Sequence, residues 1–151
     1  MEVQGQVIVK SSKEKVWMAL NDPSVLQKAT PGCKQMEEIE PDSFKADISI
    51  GIASVRGDYQ AEIKIMDKAA PDRYRILMNA NSPAGFIEGD AIVEMVSDEK
   101  GTAINYIGTA NVGGTIAGVG QRILSGIAKM IVKDFFKKIA KEVMVREGES
   151  A

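Results

Sequence analysis

The stretch from Gly114 to Met144 constrains this chain more than any other. Upstream the sequence alternates like strands, and here the period changes. Ile116, Val119, Ile123, Ile127 and Met130 recur at intervals of three and four, the spacing that aligns apolar side chains on one helix face. Lys129, Lys133, Lys137 and Lys141 follow at four-residue intervals along a different stripe. Thr115 is the predicted N-cap, its hydroxyl placed to accept from the first unpaired amides. About thirty residues at 1.5 Å each make a rod of roughly 45 Å, and such a rod needs a broad apolar surface beneath it.

The upstream residues read as that surface. Met1 to Val9 alternates, with Val3, Val7 and Val9 opposite Glu2, Gln4 and Gln6, as a strand requires. Ser12 opens a short helix carrying Val16, Trp17 and Leu20, which stops at Asp22-Pro23. Ser24 restarts a second short helix that ends by Pro31-Gly32. Strand segments follow near 33–40, 43–52, 56–67, 72–82, 86–97 and 102–112, separated by turn residues such as Pro41-Asp42 and Glu99-Lys100-Gly101. Phe44, Ala46, Ile48 and Ile50 share a face, as do Tyr59, Ala61, Ile63 and Ile65, and Tyr74, Ile76, Met78 and Ala80. One wet face and one covered face describe an antiparallel sheet against a helix. The expectation is an α+β fold of about seven strands, one domain over residues 1–147 with a polar tail over 148–151.

The inward face is thinly lined. Gly57, Ala61, Ala80, Gly89, Ala91, Gly108 and Ala110 all fall on it, and Gly118, Gly120 and Gly126 lie in the predicted helix. Each helix glycine costs roughly 1 kcal/mol relative to Ala. Intimate helix–sheet packing explains such residues, and so does a space filled by an apolar ligand. In the second case the ligand meets Ile48, Ile50, Ile63, Ile76, Met78, Ala91, Tyr106 and Ala110 on the sheet and Phe86 at a hairpin tip. On the helix it meets Gly120, Ile123, Ile127 and Met130.

Composition removes whole classes of chemistry. The 151 residues contain no histidine and one cysteine, which rules out Ser-His and Cys-His catalysis, imidazole-bound metal and an internal disulfide. A net charge of −2 argues against nucleic acid. With no leader-like segment and no apolar run of spanning length, the expected location is cytoplasmic. Asp134 lies five whole turns after Ile116, on the apolar row. Asp134 and Glu88 are therefore the candidate acid–base carboxylates of an enzyme reading.

Two groups of residues carry a resemblance. Val16-Trp17-Met18-Ala19-Leu20-Asn21-Asp22-Pro23, with Leu26 and Pro31-Gly32-Cys33, resembles the signature of the carbon monoxide dehydrogenase CoxG family. Gly113-Gly114, Gly118, Gly120-Gln121-Arg122 and Phe135-Phe136 resemble its entry into the final helix. The resemblance implies the helix-grip (START/Bet v 1-like, SRPBCC) fold, whose members hold apolar molecules between sheet and helix. It also implies a non-catalytic accessory protein of a molybdenum-containing dehydrogenase, linked to membrane attachment or to the quinone pool. On this reading the ligand is a lipid or a quinone, and no metal or catalytic residue is carried over. This chain ends at Ala151 without the hydrophobic anchor of some members, which leaves transient membrane contact through Lys129, Lys133, Lys137 and Lys141. The alternatives are a small cyclase- or hydrolase-like enzyme and a docking subunit without ligand.

Overall fold

Alternation builds the sheet. The computed structural model describes residues 1–150, without the side chains of Ala53 and residues 147–150. Strand β1 (Glu2–Val9) is followed by helices α1 (Lys13–Leu20) and α2 (Pro23–Ala29). Six strands come next: β2 (Cys33–Glu40), β3 (Ser43–Ile50), β4 (Gly57–Ala69), β5 (Arg73–Ser82), β6 (Gly85–Asp98) and β7 (Gly101–Gly113). Helix α3 (Gln121–Ser150) closes the order. The expected tail over 148–151 falls on the end of α3 and beyond it, outside the described side chains. The seven antiparallel strands lie in the order β1-β7-β6-β5-β4-β3-β2, so hairpins connect β2 through β7 and β7 comes back beside β1.

The two short helices are capped by neighbouring side chains. Ser12 Oγ accepts from Lys15 N at 3.4 Å, as the sequence predicts. The second helix starts one residue earlier than Ser24, because Pro23 takes the first helical position, where its missing N–H costs nothing. Asp22 is its N-cap, accepting from Ser24 N at 2.9 Å. Asp22 also accepts from Arg146 of α3, which ties the two-helix shoulder to the long helix.

That bond sets a pH dependence. Burial raises the Asp22 carboxyl, but the Arg146 and Ser24 hydrogen bonds outweigh it and bring it from 3.8 to about 2. A carboxyl depressed in the folded state adds stability above its unfolded value and loses it as pH falls toward its folded value. Asp22→Asn is therefore expected to lower stability at pH 7 by about 1 kcal/mol, allowing for partial solvent screening. The gap between variant and parent should close as denaturant titrations are carried down through pH 4 to pH 2.

The core concentrates at the shoulder end of the concave face. Val16, Leu20 and Val25 from the shoulder, Val93 and Ile104 from the sheet, and Ile139 and Val143 from α3 are all essentially inaccessible. Tyr106 and Phe136 stack with centroids 4.4 Å apart and planes at 11°. Gly5 is paired with Tyr106, and a Cβ there would overlap the Tyr106 hydroxyl. The bare backbone lets the ring lie across β1 and reach Phe136. Gly5→Ala is expected to cost about 1–3 kcal/mol, the range for overpacking, and to weaken the near-ultraviolet circular dichroism of Tyr106.

The long helix departs from its predicted form in two ways. Thr115 does not cap it: Thr115–Val119 is a separate 3₁₀ turn, and Gly114 (φ 82°) and Gly120 (φ 103°) bracket that turn. These left-handed angles suit glycine and break the helix ladder. The inward row is also different. Leu124, Phe136, Ile139 and Val143 are buried, with Ala128 and Val132 packed against the core. Ile123 and Met130 are each 53% exposed. The predicted row began at Ile116, which lies across the break, so its phase does not carry into α3.

Candidate ligand groove

Cross-strand register assembles the groove floor. One row runs Ile63–Met78–Gly89–Ala110 and the next runs Ile65–Ile76–Ala91–Gly108, across β4, β5, β6 and β7. At the shoulder end this concave face is sealed. Trp17 meets Tyr74 edge-on at 5.7 Å, and Lys68 Nζ lies 5.7 Å from the Trp17 ring centroid.

Toward the other end the floor opens. Ile76, Met78, Ile87, Gly89, Ala91, Gly108, Ala110 and Val112 face inward yet remain only partly buried. A Cβ at Gly89 would touch nothing nearer than Met78 Cε at 3.7 Å. Helix α3 makes its closest backbone approaches to β1, α1 and α2. Its first half is tacked down at Leu124, the one buried side chain between residues 117 and 131. The part-exposed apolar residues of the inward face form the candidate trough.

Most of the sheet residues expected from sequence lie on the inward face. Ile48 and Ile63 are buried in its far wall, and Ile50, Ile76, Met78, Ala91 and Ala110 line it part-exposed. Tyr106 closes the inner end through its stack on Phe136. Four expectations need correction. Phe86 pairs with Gly113 and lies on the convex face with its ring over that glycine, 40% exposed, because inward positions in β6 are the odd-numbered ones. Gly120 sits at the break before α3, with open space around it. Ile123 and Met130 lie roughly half a turn around from the Phe136–Ile139–Val143 row, exposed on the outside. Ile127 shares that side and is half-buried. Ile87, Val112 and Leu124 were missed; the same parity that places Gly89 and Ala91 inward assigns Ile87 as well.

The trough is chemically quiet. Burial pushes the Tyr106 and Tyr74 phenols above their ordinary values, so both stay protonated. Asp134 is not interior: its carboxylate pairs with Lys138 at 3.1 Å on the helix surface. Glu88 is exposed on the convex face. The two therefore do not form an interior acid–base pair. Desolvation raises the half-buried Cys33 thiol, which donates to the Gln35 carbonyl at 3.3 Å. Among the described residues no group of acidic and cysteine side chains is clustered to hold a metal.

Two depressions lie elsewhere, on the convex face. One, of about 510 Å³, is lined by Gln4, Gly5, Gln6, Ile92, Glu94, Asn105, Tyr106 and Ile107. The other, of about 350 Å³, is lined by residues including Glu37, Lys45, Asp47 and Glu62. Both are open surface hollows between outward side chains. Lys129, Lys133, Lys137 and Lys141 are all exposed along α3. No helix among the described residues is long and apolar enough to cross a membrane.

A seven-stranded antiparallel sheet curved around a long C-terminal helix, with two short helices after the first strand, defines the helix-grip class of START and Bet v 1-like proteins. Within it the assignment is specific. Residues 5–144 match the profile of the carbon monoxide dehydrogenase CoxG subunit, and the chain belongs to that family. A conserved protein from Geobacillus kaustophilus of known crystal structure is 40% identical, with a TM-score of 0.91 over 95% of each chain. A protein from Thermus thermophilus is 13% identical, with a TM-score of 0.72 over 97% of this chain and 99% of that one. The di-domain aromatase/cyclase StfQ of the steffimycin biosynthetic pathway is 11% identical, with a TM-score of 0.69. There the match covers 97% of this chain and 52% of that one. These last two likenesses concern the fold alone. No match is found among curated proteins.

Proposed function

We propose that this chain is a non-catalytic accessory protein of a molybdenum-containing, carbon monoxide dehydrogenase-like enzyme. It carries a lipid- or quinone-like molecule in the trough between sheet and α3. The observation that bears most weight is the incompletely buried floor around Gly89, Ala91 and Ala110, apolar surface turned inward that the protein does not fully cover. Leaving such surface wet costs about 25 cal/mol for each Å², and an acyl or prenyl chain relieves that cost. Family membership supports the accessory role. Native mass spectrometry of gently purified protein tests the reading. A co-purifying apolar mass, or uptake of added decylubiquinone or phospholipid, is expected; neither appearing would refute it.

The exposed lysine row supplies the route to the membrane on this reading, placing the protein at the inner membrane face for part of its cycle. Each basic residue near an anionic surface is worth about 1 kcal/mol. Reversing Lys133 and Lys137 to Glu is expected to lower partitioning onto phosphatidylserine-containing vesicles at least about tenfold in sedimentation assays, with ligand uptake intact. A pure docking subunit would show the same vesicle loss without any ligand uptake in the parent protein.

A further inference from the structure

The two edges of the sheet are built differently. Strand β2 carries Glu37, Glu38 and Glu40, and its pairing with β3 is irregular between Cys33 and Gln35 and between Glu38 and Glu40. Clustered charge and bulges keep an edge from recruiting another strand. Strand β1 is plain by comparison. It pairs with β7 without a break from Glu2–Thr109 to Val9–Thr102 and contains no proline. Val3, Val7, Ile8 and Val9 favour the extended backbone. Helix α3 lies on the concave side of β1, and Glu2, Gln4, Gln6 and Ile8 on its other face are exposed.

Alternation identifies the spare main-chain groups. Met1 and Ala110 exchange both main-chain bonds, at 2.9 and 2.8 Å. Every second residue from there bonds to β7, namely Val3, Gly5, Val7 and Val9. Glu2, Gln4, Gln6 and Ile8 turn their N–H and C=O groups away from β7, and among the described residues no strand lies on that side.

We propose that β1 pairs with β1 of a second copy of this chain, antiparallel about a two-fold axis at Gln6, so that the two sheets join edge to edge. The sequence of the strand selects both occupant and register. With Gln6 on the axis, Glu2 lies opposite Lys10 of the second copy, and opposite charges meet at both ends of the seam. A parallel pairing would set Glu2 beside Glu2 and Lys10 beside Lys10. An axis at Gly5 would set Glu2 against Ile8 and leave Lys10 unmatched. On the inward face the chosen register puts Gly5 opposite Val7 of the second copy, a bare backbone beside a branched side chain. On the convex face Gln4 lies opposite Ile8 of the second copy. Ile107, paired with Gln4 and 50% exposed, and Ile8, 37% exposed, then approach each other across the seam.

Sedimentation velocity on the full chain tests this, with residue-resolved hydrogen exchange beside it. A concentration-dependent dimer is expected. The Gln4, Gln6 and Ile8 amides gain protection as it forms, while those of Gly5 and Val7 are protected throughout. Glu2→Lys puts like charges together at both ends and weakens the dimer at least about tenfold. Adding Lys10→Glu to that variant restores it. Gln4→Pro removes one outward N–H without touching the β7 ladder, and abolishes the dimer while the fold holds. Should the proline variant not fold, the charge swap decides alone. A chain that stays monomeric at millimolar concentration overturns the proposal and leaves the edge to a strand from a different protein. A dimer that survives in folded Gln4→Pro also overturns it, as does one that Glu2→Lys weakens and Lys10→Glu fails to restore.

Discussion

Gly89→Phe is expected to abolish uptake of apolar ligands while leaving the fold intact. A Cβ at Gly89 meets only Met78, at ordinary contact distance, so the ring extends into the trough without displacing backbone. It occupies space that a ligand chain would fill. Each ligand CH₂ denied burial forfeits about 0.8 kcal/mol, so losing three or four raises the dissociation constant about a hundredfold. Fluorescence titration with N-phenyl-1-naphthylamine measures this, and a melting temperature within about 3 °C of the parent checks the fold. Gly108, on the adjacent strand, is the instructive contrast. A Cβ there would sit 2.6 Å from both the Ala91 Cβ and the Asp90 carbonyl oxygen. Its substitution strains the sheet and says nothing about the trough.

The largest stability effect falls at the opposite end. Phe136 is 5% exposed, stacks on Tyr106 and meets Phe135 edge-on at a centroid distance of 5.0 Å. It fixes α3 to the sheet just where the sealed core gives way to the trough. Phe136→Ala removes both ring contacts and leaves a cavity, a change that costs about 3–5 kcal/mol. For a chain of this size that lowers the melting temperature by about 6–20 °C, readable by differential scanning calorimetry. Because Tyr106 loses its stacking partner, its near-ultraviolet dichroism should fall with it.

How much of this was legible depended on whether a local pattern was enough. The period-two runs in β3, β4 and β5 placed Ile48, Ile63 and Met78 on the right face without any tertiary information, since parity alone decides it. Phe86 failed because its parity was not applied. The strand was expected near 86–97, within one residue of where β6 begins, but reading the aromatic as part of the tip set aside the parity that turns even-numbered positions outward. The inward parity of Gly89, Ala91 and Ala110 was readable, but whether small side chains meet the helix or leave room depends on the height of the helix above them. That height is set by long-range contacts of Phe136, Leu124 and Ile116. The break at Gly120 was misread for a related reason. Three glycines looked like costs inside one helix, whereas two left-handed backbone angles there end one element and start another. The phase of α3 then follows from Phe136, Ile139 and Val143, which lie beyond the break.

The open trough itself is best tested by isotope-filtered nuclear Overhauser measurements on the methyl-labelled protein with unlabelled decylubiquinone. Transfer from the quinone tail to the Ala91, Ala110 and Met78 methyls, with none to the convex-face Ile92 and Ile107, is the expected pattern. Transfer confined to Ile92 and Ile107, or none to any methyl at saturating quinone, would contradict the account.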